Sequence, residues 1–125
     1  MKVIEMAFAG YAVTDVVRAR KFYEGTLGLK QTKIWEGEQM CWIEYDIGPG
    51  TLAIGSGAPG WKPSPDGGHV GLEVEDFDAA VERLEADNVP FIMPPGDTPI
   101  CRMAIISDPD GNVLIIHKRK PGSGM

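Results

Sequence analysis

Hydrophobic and polar positions in this chain follow two periods, and the two periods occur in the same order twice. Around residues 68–75, Val70, Leu72 and Val74 alternate with His69, Gly71 and Glu73, the period-two pattern of a half-buried strand. Asp76 then precedes apolar residues at 77, 80, 81 and 84, the spacing of a helix with an acidic N-cap. The same order occurs earlier, where Phe8-Ala9-Gly10-Tyr11-Ala12-Val13-Thr14-Asp15 leads into Val16, Ala19, Tyr23 and Leu27. Gly10 and Gly71, Val13 and Val74, Asp15 and Asp76, and Ala19 and Ala80 are all 61 residues apart. A repeat at fixed offset bears on architecture before any single element does, and it predicts two copies of one module.

The first copy predicts a strand over 5–13, with Ala9, Tyr11 and Val13 on one face and Phe8, Gly10 and Ala12 on the other. A helix follows over about 15–27 and stops at Gly25 and Gly28. Strands are predicted at Leu29–Trp35, Gln39–Ile47 and Thr51–Gly55, separated by Glu36-Gly37-Glu38 and Gly48-Pro49-Gly50. In the third strand Ile43, Tyr45 and Ile47 oppose Trp42, Glu44 and Asp46. The stretch 55–68, rich in glycine and proline, reads as a linker carrying a solitary Trp61. That tryptophan reads equally as a lid over apolar surface or as a cover for a ligand. The second copy predicts a strand over 68–75, a helix over 76–88 ended by Val89-Pro90, and a strand at Phe91–Met93. After a turn at Pro94–Asp97 come strands at Arg102–Ser107 and Val113–His117, joined by the tight turn Asp108-Pro109-Asp110-Gly111-Asn112. The modules therefore span about 5–55 and 68–117 within one domain of 1–120. The end of the chain, its basic triplet Lys118-Arg119-Lys120 included, is predicted to fray, leaving 121–125 as a tail.

Composition narrows the function classes. A chain of 125 residues suits one domain with its own core. A net charge of -6 without a basic stripe argues against a nucleic-acid partner and weakly favours neutral or cationic ligands. No apolar run reaches membrane-spanning length, and Met1–Glu5 lacks the shape of a signal peptide, so a cytoplasmic protein is expected. Cys41 and Cys101 fit neither metal nor disulfide spacing and read as reduced thiols. No phosphate-binding glycine loop and no nucleophile elbow is present.

Three stretches carry a resemblance to the vicinal oxygen chelate superfamily, which includes glyoxalase I, extradiol dioxygenases and the fosfomycin- and bleomycin-resistance proteins. They are Val13-Thr14-Asp15 with Phe22-Tyr23 and Leu27-Gly28-Leu29, then Gly68–Val74 running into Asp76, then Asp108–Asn112. The resemblance covers about residues 5–117 and implies an α+β fold, in which two tandem βαβββ modules form a curled sheet around a cleft. It also implies a metal-ligand set at four strand places on the face away from the helices, usually His or Gln, Glu, His and Glu. The matching positions here are Phe8, Ala53, His69 and Ile115, and only His69 keeps a donor. Strand four carries no motif that fixes its register. A divalent site normally takes three or more protein ligands, so no metal and no other cofactor are expected.

Three hypotheses follow. The leading one is a member without metal that binds a small organic molecule. Its ligand-binding residues would be Phe8, Gly10, Trp42, Glu44, His69, Gly71, Glu73 and Ile115, with Gly10 and Gly71 leaving room on the floor. By resemblance to the bleomycin-resistance proteins, such a member sequesters a cationic drug as an acidic homodimer. The alternative is a metal-dependent lyase, isomerase or dioxygenase with a relocated site, for which His69, Glu44 and Glu73 are the candidate donors and Asp46 or His117 a further one. The third is a metal-independent enzyme with His69 as general base and Glu44 or Glu73 as its partner. His69 also has a plainer reading, a polar or hydrogen-bonded lining residue, and His117 reads as solvated.

Overall fold

The computed structural model describes Lys2 and residues 4–122, so the last three residues of the expected tail lie outside the described chain. The chain divides into two compact units, Met1–Pro63 and Ser64–Met125. Each unit holds a four-stranded mixed sheet and a helix, which makes the fold α+β with two tandem modules.

The first module runs β1 (Ala9–Ala12), helix α1 (Val16–Arg20) continuing as a π-helical turn (Lys21–Thr26), β2 (Lys33–Glu36), β3 (Cys41–Ile47) and β4 (Gly50–Ser56). Its strand order is β1-β4-β3-β2, with β1 parallel to β4 and the rest antiparallel. Asp15 caps the helix by accepting from Arg18 N at 3.1 Å, as the sequence pattern predicts. The wide turn shows in Leu27 N donating to Phe22 O, five residues back. Tyr11, Ile43, Tyr45, Leu52 and Ile54 are buried on one side of the sheet, and Ala19, Phe22 and Tyr23 are the buried residues of the helix. Tyr23 stacks on Tyr45 with ring centroids 6.2 Å apart. Ile47, predicted to share this face, is exposed at the hairpin end.

Beneath the π-helical turn, Glu24 accepts from Arg20 Nε at 2.6 Å and from Tyr45 Oη at 2.9 Å. Partial burial pushes the Glu24 carboxyl up, but Arg20 and Tyr45 outweigh it and hold the group below its ordinary value. Burial and then Glu24 push the Tyr45 hydroxyl well above the usual phenol range.

The second module runs β5 (Val70–Glu73), α2 (Phe77–Ala86), β6 (Phe91–Asp97), β7 (Cys101–Ser107) and β8 (Val113–Arg119), in the order β5-β8-β7-β6. Asp76 caps α2 through Ala79 N at 3.0 Å. Phe77 and Leu84 are its buried residues, and Ala104, Ile106, Leu114 and Ile116 are buried on the sheet. In the β7–β8 turn, buried Asp108 accepts from Asp110 N, Asn112 N and Asn112 Nδ2 at 2.8–2.9 Å. That network explains the turn sequence as structural chemistry.

Several predicted boundaries are corrected. The first strand starts at Ala9, because β4 offers partners only from Leu52 to Gly55, and Ile4 and Met6 lie exposed. The second starts at Lys33 and takes in Glu36, which pairs with Cys41. Pro94–Asp97 is not a turn but part of β6. Prolines are tolerated there because β6 is an edge strand and its pairing with β7 is broken by two register shifts. The basic triplet is not frayed: β8 includes Lys118 and Arg119, and Lys120 N donates to Ile100 O. Lys120 Nζ also pairs with Asp97.

Candidate functional site

Cross-strand partners share a face of a sheet, so register places the side chains turned away from each helix. In the first module Gly10 opposes Ala53, and Ala53 opposes Glu44. Ala12 opposes Gly55, Gly55 opposes Trp42, and Trp42 opposes Trp35. Three predicted site residues, Gly10, Trp42 and Glu44, therefore share one face, and Phe8, just ahead of β1, packs against Trp42.

Their packing is aromatic. Phe8 meets Trp42 edge to face at 4.9 Å between centroids, and Trp61 leans on Trp42 at 6.0 Å. Such pairs contribute about 0.5–1.5 kcal/mol each beyond burial. That is enough to seat Trp61, whose own backbone belongs to no strand. The glycines make the cluster possible. A Cβ at Gly55 would lie 2.7 Å from Trp61 Cζ3 and 2.8 Å from Trp42 Cε3. At Gly10 the rings of Trp42, Trp61 and Phe8 stand 3.5–3.6 Å from where a Cβ would be. The expectation that Gly10 leaves empty floor is thus corrected, because the chain's own rings fill that space. Phe8 remains 48% exposed, Trp61 39% and Trp35 56%. Trp42 Nε1 donates to Glu44 Oε2 at 2.8 Å, which fixes the indole and the carboxylate together.

In the second module the equivalent partners are Gly71 with Ile115 and Glu73 with His117. Gly71 has open space around it: among the described residues, its chain neighbours aside, no heavy atom lies within 4 Å of where a Cβ would stand. Glu73 Oε1 lies 2.6 Å from His117 Nδ1, and its Oε2 accepts from Arg119 N at 2.7 Å. Burial would raise the Glu73 carboxyl, but the Arg119 N–H and then His117 outweigh it and hold it below its ordinary value. His69 is exposed just ahead of β5. Two expectations are corrected here. Glu73 pairs with His117 rather than with His69, and His117 is not merely solvated, its side chain being 16% exposed. Sequence reasoning misses Gly55, the particular seat of Trp61 against Trp42, and the pairing of His117 with Glu73. The 61-residue repeat held a signal for the last, since a parallel pairing that opposes Gly71 to Ile115 also opposes Glu73 to His117.

By strand pairing, Ala53 opposes Gly10 as Ile115 opposes Gly71. The four places that the resemblance assigns to a metal hold a phenyl ring, a methyl group, one imidazole and a sec-butyl group. Three of these carry no donor atom, so the set does not fit a divalent ion. Among the described residues no group of three or more His, Cys, Asp or Glu side chains is placed to hold a metal. Among them, too, no helix is long and apolar enough to cross a membrane.

Known proteins agree with this frame. An antibiotic-binding protein, TnmS3 of Streptomyces sp. CB03234, is 26% identical, with a TM-score of 0.79 over 96% of this chain and 99% of its own. A glyoxalase/bleomycin resistance protein from the same organism is 28% identical, with a TM-score of 0.68 over 88% and 98%. A glyoxylase/bleomycin resistance protein/dioxygenase domain from Frankia sp. EAN1pec shares the fold at 18% identity, with a TM-score of 0.79 over 97% and 96%. The Glyoxalase family model matches residues 5–116, nearly the whole chain, and the protein belongs to the glyoxalase/bleomycin resistance protein/dioxygenase superfamily.

Proposed function

We propose that this protein binds a small, planar organic molecule against the helix-free face of its first module, without a metal ion. The observation that carries the reading is the convergence of Phe8, Trp42 and Trp61 over Gly10 and Gly55, with exposed ring surface left on Phe8 and Trp61. Aromatic walls with a few fixed polar groups are the usual makeup of a small-molecule site, and Glu44, held by Trp42, is the fixed polar group here. The 26% identical neighbour whose name records antibiotic binding supports the same class of ligand.

Charge refines the ligand. The first module carries seven acidic and seven basic side chains, whereas the second carries eleven and five. The whole excess of -6 therefore belongs to the second module. Recognition on the first rests on ring stacking and shape, with Glu44 favouring a neutral or cationic ligand. The proposal includes a homodimer. β2 is an edge strand whose Ile34 and Trp35 are exposed, and such edges are normally covered or blunted.

All three tryptophans lie in the first module. A screen of planar aromatic compounds by tryptophan fluorescence should find saturable quenching, and Trp42→Ala should weaken binding of a hit by about 1 kcal/mol or more. The hit should bind protein that elemental analysis shows to hold far less than one metal ion per chain. Light scattering should give a dimer. Binding that requires an added divalent ion, or that is equal in wild type and Trp42→Ala, would refute the reading.

A further inference from the structure

The second module offers a different chemistry on its helix-free face. Glu73 is fixed from two sides, by His117 Nδ1 and by the backbone N–H of Arg119. An ionised carboxylate only accepts, so Nδ1 carries a proton, and in the neutral ring Nε2 then presents a lone pair. Among the described residues Nε2 has no hydrogen-bond partner. Nor is any side-chain nitrogen or oxygen there both buried and unpartnered. Nε2 is therefore not fully enclosed, and the His117 side chain as a whole is 16% exposed. Two residues along β5, Gly71 leaves open space beside Ile115, and Met103 is the β7 partner of His117. An oriented imidazole base thus stands beside a vacant, apolar patch.

We infer that the Glu73–His117 pair is a proton-accepting site for a weakly acidic hydroxyl compound, a phenol or an enol, whose apolar body lies over Gly71 against Ile115. The step is a simple transfer. The ligand O–H bond breaks, its electron pair stays on oxygen, and the proton forms a bond to His117 Nε2. The products are a phenolate or enolate and an imidazolium, and no oxidant or reductant takes part. Glu73 is the positioning residue: it fixes the tautomer and stabilises the imidazolium. The Arg119 guanidinium lies 3.8 Å from Glu73 Oε1, and the partner of His117 on β7, Met103, is uncharged. A carboxylic acid suits the site poorly, because it arrives already ionised and meets the charge of Glu73. The inference uses residues of the second module only and stands apart from the aromatic cluster of the first.

The probe is 4-nitrophenol, whose phenolate absorbs visible light and whose neutral form does not. At a pH below the probe's own pKa, excess protein should raise the phenolate absorbance, as a roughly tenfold increase in the ionisation constant of the bound probe, one pKa unit. His117→Gln should abolish the rise. Glu73→Gln, which keeps a hydrogen bond but loses the charge, should give an intermediate rise. Gly71→Leu, placed in open space, should abolish it by filling the patch while the far-UV spectrum and melting temperature stay as in wild type. Absence of the rise in wild type would overturn the inference, as would a rise that survives both His117→Gln and Gly71→Leu. The probe's own absorbance is read, whereas the first module is read by its tryptophans, so either claim can fail without the other.

Discussion

The two modules share a frame and differ on one face. Toward the helix they are alike: Tyr11 opposes Ile54 in the first and Leu72 opposes Ile116 in the second. Away from the helix, equivalent points carry opposite chemistry. Where the first module places Ala12 and Gly55 under Trp42, the second places Glu73 and His117 beside Met103. The glycine shared by both strands, Gly10 and Gly71, is crowded by three aromatic rings in one copy and stands in open space in the other. A repeated βαβββ unit thus holds its core constant, because helix and sheet must bury each other, and leaves the second face free to diverge.

If this comparison is right, core truncations should cost the two modules alike and by the most. Ile54→Ala and Ile116→Ala, both of fully or nearly fully buried side chains, should each destabilise by about 2–5 kcal/mol in denaturant titrations. A large cost in one module and none in the other would break the claim of equivalent cores. Glycine substitutions should then separate the modules. Gly55→Val must displace Trp42 and Trp61 and should cost about 1–3 kcal/mol. Gly71→Leu should stay within about 0.5 kcal/mol of wild type.

Acid should act weakly on both. Glu24 in the first module and Glu73 in the second are held below their ordinary value of 4.5. Their stabilising contribution is complete above that value and is lost as pH falls through the lower folded-state value. Both groups are partly exposed, so each loss should be under about 1 kcal/mol. Thermal melts in this acid range should show a shallower decline for Glu24→Gln and for Glu73→Gln than for wild type. A decline that is equally steep in both variants would remove these carboxylates from the account.

Much of the frame was legible because strand alternation and the capping aspartates, Asp15 and Asp76, are local signals. The face carrying Phe8, Gly10, Trp42 and Glu44 could be read from alternation alone. What could not be read depends on contacts remote in sequence. Trp61 sits on a stretch with no period, and its place is set by Trp42 and by the absence of a side chain at Gly55. His117 meets Glu73 across 44 residues through a parallel strand pair. Pro94-Pro95 reads as a turn by composition, and only its position on an edge strand lets it belong to β6.

The central claim is that the first module's aromatic cluster holds the ligand, and chemical-shift mapping tests it most directly. A compound found by fluorescence should be titrated into isotopically labelled protein while backbone amides and the three indole N–H groups are followed. The predicted result is saturable shifts of the Trp42 and Trp61 indoles and of the amides at Phe8, Gly10 and Gly55, all at one affinity. Shifts confined to residues 64–122, with those two indoles unmoved at saturation, would contradict it.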